Sequence, residues 1–524
     1  MGQPPPNKLF ELMNQHPIIP ICMFAFLLIG GIWNWKKKRA AKQSGQDSQS
    51  GVTGSSKRMG GLLDQALMWW SKHDPLLIRD LLRSIAIFGA SGAGKSSGSG
   101  FQIAKALAKC RQIGGLILAS KPEDREFWQR IFRQAGRTRD LLVFSATAAL
   151  RFNFLDFILR NGGSTRDITQ AIMVIGETLE SGVNRERDPF WDKQNARMIY
   201  NAVEMVQGAL GRVTGPDLER FVIGAANTPE ELSSEKWQNA FHSKVLERAL
   251  NNASDPVREQ DCRQGMDYWL KQYPRMADKT RSSILAGVMG ILHVFNTGIV
   301  RELVSTTTNV SPAVMDEGKW VLVDLPISSE GTAGAFILAG WKYLTQWHIL
   351  KRHATEETPI SVIWADEAQK VVNSFDAPFL AECRSHRGSM VYLSQSIHAY
   401  YTKMQEGGEH EADSFLTNFY HKIFHALGDD KTAAYASSLI GRRLTTRYGG
   451  SMSPVDSVYD AMFGQMKFSG SFSQSIENIL ENRAFMQGLR TGGREHGYMV
   501  DGYVIRSEPF ATGENYLKVA FSQK

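Results

Sequence analysis

The sequence has few cysteines, no large excess of either charge and no internal repeat. Its 524 residues include only 4 cysteines (Cys22, Cys110, Cys262 and Cys383), far apart and without the CxxC or Cys/His spacing of a zinc site. This excludes a disulfide scaffold and indicates reduced, mostly buried thiols. The 47 glycines, 18 prolines and 43% hydrophobic residues lie near the globular average, which excludes collagen-like and disordered chains. Because a domain usually has about 100–200 residues, we expect two or three folded units.

The net charge of +7 does not by itself indicate a nucleic-acid-binding protein. Residues 1–50 contribute +4, and the other 474 residues carry only +3. Any contact with nucleic acid would therefore need basic residues that are concentrated locally.

One long apolar run lies near the N-terminus. Pro17 to Trp35 is a stretch of 19 residues without a charge, followed at once by three lysines and an arginine at 36–39. This length can cross the hydrocarbon core of a bilayer, and tryptophans followed by cations are typical of the cytoplasmic end of a membrane helix. A cleaved signal peptide would have the opposite polarity. The sequence predicts a single-pass protein of the membrane, with an extracytoplasmic tail over 1–16, a transmembrane helix over 17–35 and the body in the cytoplasm.

The remaining chain predicts an α/β fold with a mostly parallel sheet, helices on both faces and an inserted all-α domain. Residues 36–60 form a basic stop and a polar linker rich in Ser, Gly and Gln. Apolar runs that alternate with helical stretches predict strands at 85–88, 116–119, 141–144, 320–325, 360–365 and 391–393. Apolar residues recur instead at helical spacing in the region between. We expect a nucleotide-binding domain in two parts, 61–155 and 308–524 with its C-terminal extension, around an all-α domain at 156–307.

A phosphate-binding loop follows the first predicted strand. The pattern Gly-x-x-x-x-Gly-Lys-Ser ends at Ser96, with an apolar strand before it and a helical stretch at 101–107 after it. The glycines let backbone N–H groups converge on phosphates, Lys95 would reach the β- and γ-phosphates, and the Ser96 hydroxyl would ligate magnesium. ATP and Mg²⁺ are therefore the expected ligands. The expected nucleotide-binding residues are Gly89, Gly92, Gly94, Lys95, Ser96 and Ser97.

A P-loop requires a carboxylate at the end of a neighbouring strand to hold the metal. The predicted strand at 360–365 ends in Asp366 and Glu367. Asp366 would hold magnesium through its water shell, and Glu367 would orient and deprotonate the attacking water. Asp324, at the end of the predicted strand 320–325, is a rival, but Pro326 follows it and no second carboxylate is adjacent. The paired acids favour Asp366.

Further candidates flank the strand at 391–393. Gln395 would lie at the carboxyl edge of the sheet, where open α/β sheets bind ligands, and is interpreted as a sensor of the γ-phosphate. Arg384 precedes the same strand and is interpreted as an arginine finger that acts on a neighbouring subunit, with Arg387 as the second choice. Near the end of the helical region, four cations lie within eleven residues with Tyr273 among them, which suits backbone gripping and base stacking on DNA. These candidate DNA-binding residues are Lys271, Arg275, Lys279 and Arg281.

Four segments together resemble one known family. FGASGAGKS, VIWADEAQK, CRSHRGSMVYLSQS and NFYHKIFHALGDDKTAAYASSLIG are similar to the coupling proteins of type IV secretion and conjugation systems, of the TraD/TraG kind. The likeness runs from about residue 80 to 450. It implies a RecA-like, ring-forming and typically hexameric ATPase with an inserted all-α domain, anchored in the bacterial inner membrane. It further implies that the protein delivers relaxase-bound DNA to a secretion channel without sequence preference.

Two features depart from that family. Its members commonly carry two membrane helices, whereas one is found here. Many members have an Asp-Pro-Lys-Gly-like turn after the second strand, whereas this chain has Ser120 to Asp124. Lys121 could therefore either act at the nucleotide site or belong to a solvated turn. An alternative function is a nucleotide-switched receptor that recruits protein substrates without pumping DNA. A chromosome-segregation or repair translocase is disfavoured by the helical insertion and by the segment at 422–441.

Overall fold

The structure is a computed structural model that describes residues 61–179, 189–404, 408–454 and 466–524. Leu62–Lys524 form one compact unit. The predicted extracytoplasmic tail, transmembrane helix and linker lie outside the described residues. Among the described residues, no single helix combines the length and the apolar composition that a membrane span needs. Two consecutive helices, Asp278–Phe295 and Gly298–Val304, meet that requirement only as a pair across a 72° bend.

The centre of the unit is a nine-stranded mixed sheet. The strands of the chain are β1 (Ala66–Trp69), β2 (Pro75–Leu77), β3 (Ile85–Phe88), β4 (Ile113–Leu118), β5 (Leu141–Ser145), β6 (Trp320–Asp324), β7 (Ile360–Ala365), β8 (Gly388–Ser394), β9 (His421–Phe424), β10 (Arg442–Pro454), β11 (Met466–Asn478), β12 (Met499–Ile505) and β13 (Tyr516–Ser522). The order in the large sheet is β13-β12-β9-β3-β8-β7-β4-β6-β5, while β1–β2 and β10–β11 form separate antiparallel pairs.

The seven strands from β9 to β5 in this order are parallel. Every residue of β3, β7 and β8 is buried, as expected for strands that helices cover on both faces. The predicted strands are confirmed, although β4 begins three residues earlier than expected and β8 extends further at both ends. The antiparallel strands β12 and β13, which complete one edge, were not predicted from the sequence.

Some of the helices of the described residues cover the two faces of the sheet, and others form the region between β5 and β6. The helices are α1 (Ile78–Leu81), α2 (Phe101–Lys109), α3 (Asp124–Gln134), α4 (Phe154–Arg160), α5 (Thr165–Gly176), α6 (Pro189–Leu210), α7 (Gly215–Ile223), α8 (Glu235–Gln238), α9 (Phe241–Asn251), α10 (Pro256–Asp267), α11 (Asp278–Phe295), α12 (Gly298–Val304), α13 (Ile327–Lys351), α14 (Asp376–Glu382), α15 (His398–Lys403), α16 (Gly408–Thr417), α17 (Asp430–Ile440) and α18 (Arg483–Met486).

The described residues between β5 and β6 form helices and turns without a strand, from α4 to α12. Side-chain caps start several of these helices: Asn153 caps α4, Ser164 caps α5 in a capping box with Asp167, and Asp255 caps α10. Their apolar faces share one hydrophobic core with the sheet. The helical character of this region agrees with the sequence, whereas its status as a domain of its own stays a prediction.

Candidate functional site

The loop between β3 and α2 holds the phosphate-binding motif. Gly92 and Gly94 have φ angles of +74° and +85°, a backbone region that only glycine adopts without strain. Lys95 is buried, and its Nζ donates to the carbonyl oxygens of Gly89 at 2.8 Å and Ala90 at 3.2 Å. Burial lowers the pKa of Lys95, while the carboxylates of the acidic pair at the end of β7 oppose that shift. The motif thus forms a loop with a cationic centre at the carboxyl edge of the sheet.

Asp366 lies beside this loop. It follows β7, and only β8 separates β7 from β3. The Ser96 hydroxyl donates to Asp366 Oδ2 at 2.6 Å. A serine hydroxyl and a carboxylate in contact are the hard oxygen donors that Mg²⁺ prefers, so the two residues fit a magnesium site. The rival Asp324 ends β6, which lies two strands beyond β7, and it accepts a hydrogen bond from Arg125 at 3.1 Å.

Glu367 is held in a strained and polar position next to Asp366. Its φ angle is +51°, an unfavourable conformation for a residue with a Cβ that is found mostly at functional sites. Gln395 Nε2 donates to both carboxylate oxygens at 3.1 and 3.2 Å, and Gln369 Nε2 donates at 2.7 Å. Burial opposes ionisation, but the two amides and the charges of Lys95 and Lys121 outweigh it and lower the pKa of Glu367. The side chain is therefore a carboxylate at neutral pH.

The structure thus brings Lys95, Ser96, Asp366, Glu367 and Gln395 together at one edge of the sheet. Sequence reasoning missed Gln369, which lies two residues after Glu367. The Ser394 hydroxyl lies 2.7 Å from Gln369 Oε1, so the end of β8 orients this amide. A glutamine so close to the acidic pair was the only available signal.

Lys121 also belongs to this edge. Its Nζ lies 3.9 Å from Glu367 Oε1, and its side chain is 50% exposed. The turn that carries it is closed by Asp124, whose Oδ2 accepts from the backbone N–H groups of Ser120 at 2.8 Å and Lys121 at 3.0 Å. Burial, together with the charge of Asp366, raises the pKa of Asp124. The position that the sequence left open therefore contacts the candidate catalytic carboxylate.

A buried ion pair anchors the segment after Glu367. Lys342 on α13 and Asp376 at the start of α14 are both fully buried, and Lys342 Nζ donates to the Asp376 carboxylate at 2.6 and 2.8 Å. Gln346 Nε2 donates to the same carboxylate at 2.6 Å, and the backbone N–H of Asn373 donates at 3.2 Å. Since breaking such a pair leaves an uncompensated buried charge, the end of this segment is fixed in place.

Strand β12, in the C-terminal extension, packs against the phosphate loop. A Cβ built on Gly94 would lie 2.7 Å from both methyl carbons of Val500, and a Cβ built on Gly98 would lie 2.9 Å from Val500 Cβ. His425 Nδ1 lies 2.8 Å from the Asp501 carbonyl oxygen, and its Nε2 lies 2.7 Å from the Ser99 hydroxyl. Burial lowers the pKa of His425 to about 4, so the imidazole is neutral and donates through Nδ1. The C-terminal extension therefore supports the candidate site directly.

Arg384 and Arg387 lie before β8 begins, at the amino-terminal ends of the parallel strands and therefore opposite to the phosphate loop. The seven residues of β8, at about 3.3 Å each, separate them from Gln395 by roughly 20 Å. Arg384 is exposed, whereas Arg387 is buried and donates from Nη1 to the Thr355 carbonyl oxygen at 3.1 Å. Neither can reach the phosphate loop of its own chain. The exposure favours Arg384 as the residue that could act on another subunit.

The candidate DNA-binding cations lie between α10 and the start of α11. Lys271 pairs with Asp267 at 2.6 Å, and Arg281 pairs with Asp278. Arg275 and Lys279 are exposed. Tyr273 is 1% exposed, so the expectation that its ring stacks on bases is wrong: the ring packs in the core of the helical region. The DNA-binding role of the four cations stays a prediction.

A family model of type IV secretory system conjugative DNA transfer proteins matches residues 34–457. Among solved structures, the chain is similar to the bacterial conjugative coupling protein TrwBdeltaN70 in an unbound monoclinic form, with a TM-score of 0.58, 13% identity, and coverage of 88% of this chain and 89% of that chain. It is similar to TrwB in complex with ADP and Mg²⁺, with a TM-score of 0.59, 13% identity and coverage of 88% and 91%. TrwB bound to a non-hydrolysable ATP analogue gives a TM-score of 0.57, 12% identity and coverage of 89% and 90%. At such identities the likeness concerns the fold. No curated protein sequence matches the chain.

Proposed function

Because the chain belongs to the family of type IV secretory system conjugative DNA transfer proteins and is a type IV coupling protein, we propose that it is an ATPase that drives DNA into a secretion channel. The observation that carries this proposal is the hydrogen bond of 2.6 Å between Ser96 and Asp366, with Glu367 held beside them by Gln395. A phosphate loop, a metal-binding carboxylate and a general base meet there at one sheet edge.

The residues have separable roles in hydrolysis. The backbone N–H groups of the phosphate loop and Lys95 bind the phosphates, and Ser96 and Asp366 hold Mg²⁺. The metal, when bound, neutralises charge on the phosphates. Glu367 orients a water molecule and accepts its proton as the water oxygen attacks the terminal phosphorus. Gln395 holds Glu367 and senses the terminal phosphate. Because the pKa of Glu367 is lowered, this base is ionised across the neutral range.

Assembly into a ring completes the site. Arg384 lies about 20 Å from its own nucleotide edge, so it acts on the nucleotide of a neighbouring subunit, where a guanidinium stabilises charge in phosphoryl transfer. We assign the chain to a homo-oligomeric ring, by resemblance a hexamer, anchored in the inner membrane by residues 17–35. Its other partners are a relaxase bound to DNA and components of the channel.

The test is the ATPase rate of the full-length protein in detergent micelles, with and without single-stranded DNA and over a range of protein concentrations. Glu367→Gln should keep nucleotide binding and abolish turnover. Lys95→Ala should lose about 10²–10³-fold in rate, a usual effect of removing a group that stabilises the transition state. Near-normal turnover in both variants would refute the assignment of the site.

The cargo is tested in the same assay. DNA should stimulate hydrolysis without sequence preference, and its affinity should fall with salt at a log–log slope of about −0.7 for each phosphate contact on a single strand. Replacing the four cations at 271–281 by glutamine should flatten that slope and leave basal ATPase unchanged. An unchanged slope would place the DNA contacts elsewhere. An assembled ring without any DNA stimulation would favour a nucleotide-switched receptor for protein substrates.

A further inference from the structure

We propose that Lys121 is a second phosphate-binding lysine, which pairs with Glu367 in the nucleotide-free protein and moves to the terminal phosphate of a bound nucleoside triphosphate. This inference rests on the proposed function. Lys121 would then distinguish a nucleoside triphosphate from a diphosphate. It would also leave Glu367 free to act as a base only when a terminal phosphate is bound.

The sheet topology places Lys121 beside the base. Strands β4 and β7 are parallel neighbours, with Leu118 opposite Ala365 at their carboxyl ends. The loops that follow them therefore leave the sheet side by side. Arg125, just after the turn of Lys121, donates to Asp324 at 3.1 Å and so ties the start of α3 to β6.

The turn itself is rigid, whereas the lysine side chain is free to move. Two backbone N–H groups, of Ser120 and Lys121, donate to one oxygen of Asp124. The half-exposed Lys121 side chain leaves this fixed turn and reaches Glu367 only through an ionic contact of 3.9 Å. The amides of Gln369 and Gln395 are instead at hydrogen-bonding distance from the same carboxylate. Lys121 is therefore the most readily exchanged of the three partners of Glu367.

The charges around the site favour this exchange. Only the lysine end of this pair is exposed, and its Nζ lies 3.9 Å from the carboxylate oxygen, beyond hydrogen-bonding distance, so water can take the place of this contact when Lys121 moves. The terminal phosphate of a triphosphate carries more negative charge than one carboxylate, and hydrogen bonds from an ammonium to a phosphate are among the stronger ones. Lys95 and Lys121 also repel each other, since the charge of Lys121 helps to lower the pKa of Lys95. An anion between the two lysines relieves that repulsion.

The exchange also changes the state of the base. The ammonium of Lys121, 3.9 Å from Glu367 Oε1, competes with a water molecule for that side of the carboxylate. Departure of Lys121 leaves Gln369 and Gln395, which keep the carboxylate in position. Glu367 then accepts the water proton only when Lys121 is engaged by a terminal phosphate. A diphosphate has no group that could draw Lys121 away.

The test measures binding rather than turnover. Isothermal titration of the full-length protein would compare Mg²⁺–ADP with the Mg²⁺ complex of an ATP analogue that has a β,γ-imido bridge. Lys121→Gln should weaken binding of the triphosphate analogue about tenfold and change ADP binding less than twofold. Lys121→Arg, which keeps the charge, should restore most of the difference. Lys351→Gln is the matched control, because Lys351 is 52% exposed and lies 3.8 Å from Asp167, and it should change neither affinity.

The outcomes separate this inference from the proposed function. The role of Lys121 would be overturned by a Lys121→Gln protein of unchanged thermal stability in either of two cases. It could lose affinity equally for both ligands, or it could keep its full affinity for the triphosphate analogue. The proposed function would still stand if the wild type binds the analogue and Lys95→Ala does not. If the wild type binds neither nucleotide, both proposals are refuted.

Discussion

The contact between the phosphate loop and Val500 can be tested with three glycines that differ in one property at a time. Gly92 has a positive φ of +74°, and a Cβ added there meets nothing within 4 Å. An added Cβ at Gly98 meets Val500, but no positive φ is involved. Gly94 combines a φ of +85° with two contacts of 2.7 Å to Val500. Alanine at the three positions therefore separates backbone strain from steric overlap.

The expected losses of stability follow from these two effects. A left-handed conformation costs an L-residue about 1–2 kcal/mol, so Gly92→Ala should lose that amount. Overpacking costs about 1–3 kcal/mol, so Gly98→Ala should lose a similar amount through contact alone. Gly94→Ala should lose the sum, about 2–5 kcal/mol. A second substitution, Val500→Ala, removes the overlapping methyl groups and should recover the steric part at Gly94 and Gly98.

Urea unfolding of the full-length protein without nucleotide, followed by tryptophan fluorescence, measures these differences. Double-mutant cycles with Val500→Ala correct for the loss that this substitution causes on its own. The coupling energy should be about 1–3 kcal/mol for Gly94 and Gly98 and near zero for Gly92. Equal destabilisation by Gly92→Ala and Gly94→Ala, with no coupling to Val500, would show that β12 does not press against the loop.

Two further predictions concern acid stability and the shared site. Burial lowers the pKa of His242 and His425 to about 4 and that of His421 to about 3, so the unfolded chain binds protons that the folded chain does not. The free energy of unfolding should therefore stay constant above about pH 6.5 and decrease as the pH drops toward 4. A thermal unfolding midpoint that is equal at pH 7.5 and pH 5 would contradict this prediction. Mixing Arg384→Ala with Lys95→Ala subunits should restore part of the ATPase activity, because some interfaces then pair an intact loop with an intact arginine. Mixed rings of confirmed assembly that stay inactive would exclude Arg384.

The parts of the site that the sequence predicted are those that local patterns specify. Gly94 to Ser96 must follow a strand and precede a helix, and Asp366 with Glu367 must end a buried strand, so short segments contain the whole signal. Parallel pairing then brings these strand ends to one edge. The rival Asp324 ends β6, which lies two strands farther from the phosphate loop than β7 does.

The remaining features depend on contacts between distant segments, which no local pattern encodes. Val500 and His425 support the loop through strands that lie far from it in the sequence. Lys342 and Asp376 form their buried pair across two helices. Tyr273 is a prediction from a local pattern that was wrong. The cations around it suggested an exposed ring that stacks on bases, whereas the ring is buried. An exposed surface and a core cannot be told apart from the spacing of one aromatic residue.

The packing of Val500 on the phosphate loop also bears on the order of events during protein synthesis. Val500 lies 406 residues after Gly94 in the chain, which a ribosome translates in roughly 20–80 s at about 5–20 residues per second. Throughout that time the loop lacks the side chain that covers Gly94 and Gly98, and His425, once it has been synthesised, still lacks the carbonyl oxygen of Asp501. A polypeptide released before residue 499 would carry the entire phosphate-binding motif without this support. Nascent or prematurely terminated chains should therefore bind nucleotide poorly, and the candidate nucleotide site should mature only once β12 has joined the sheet.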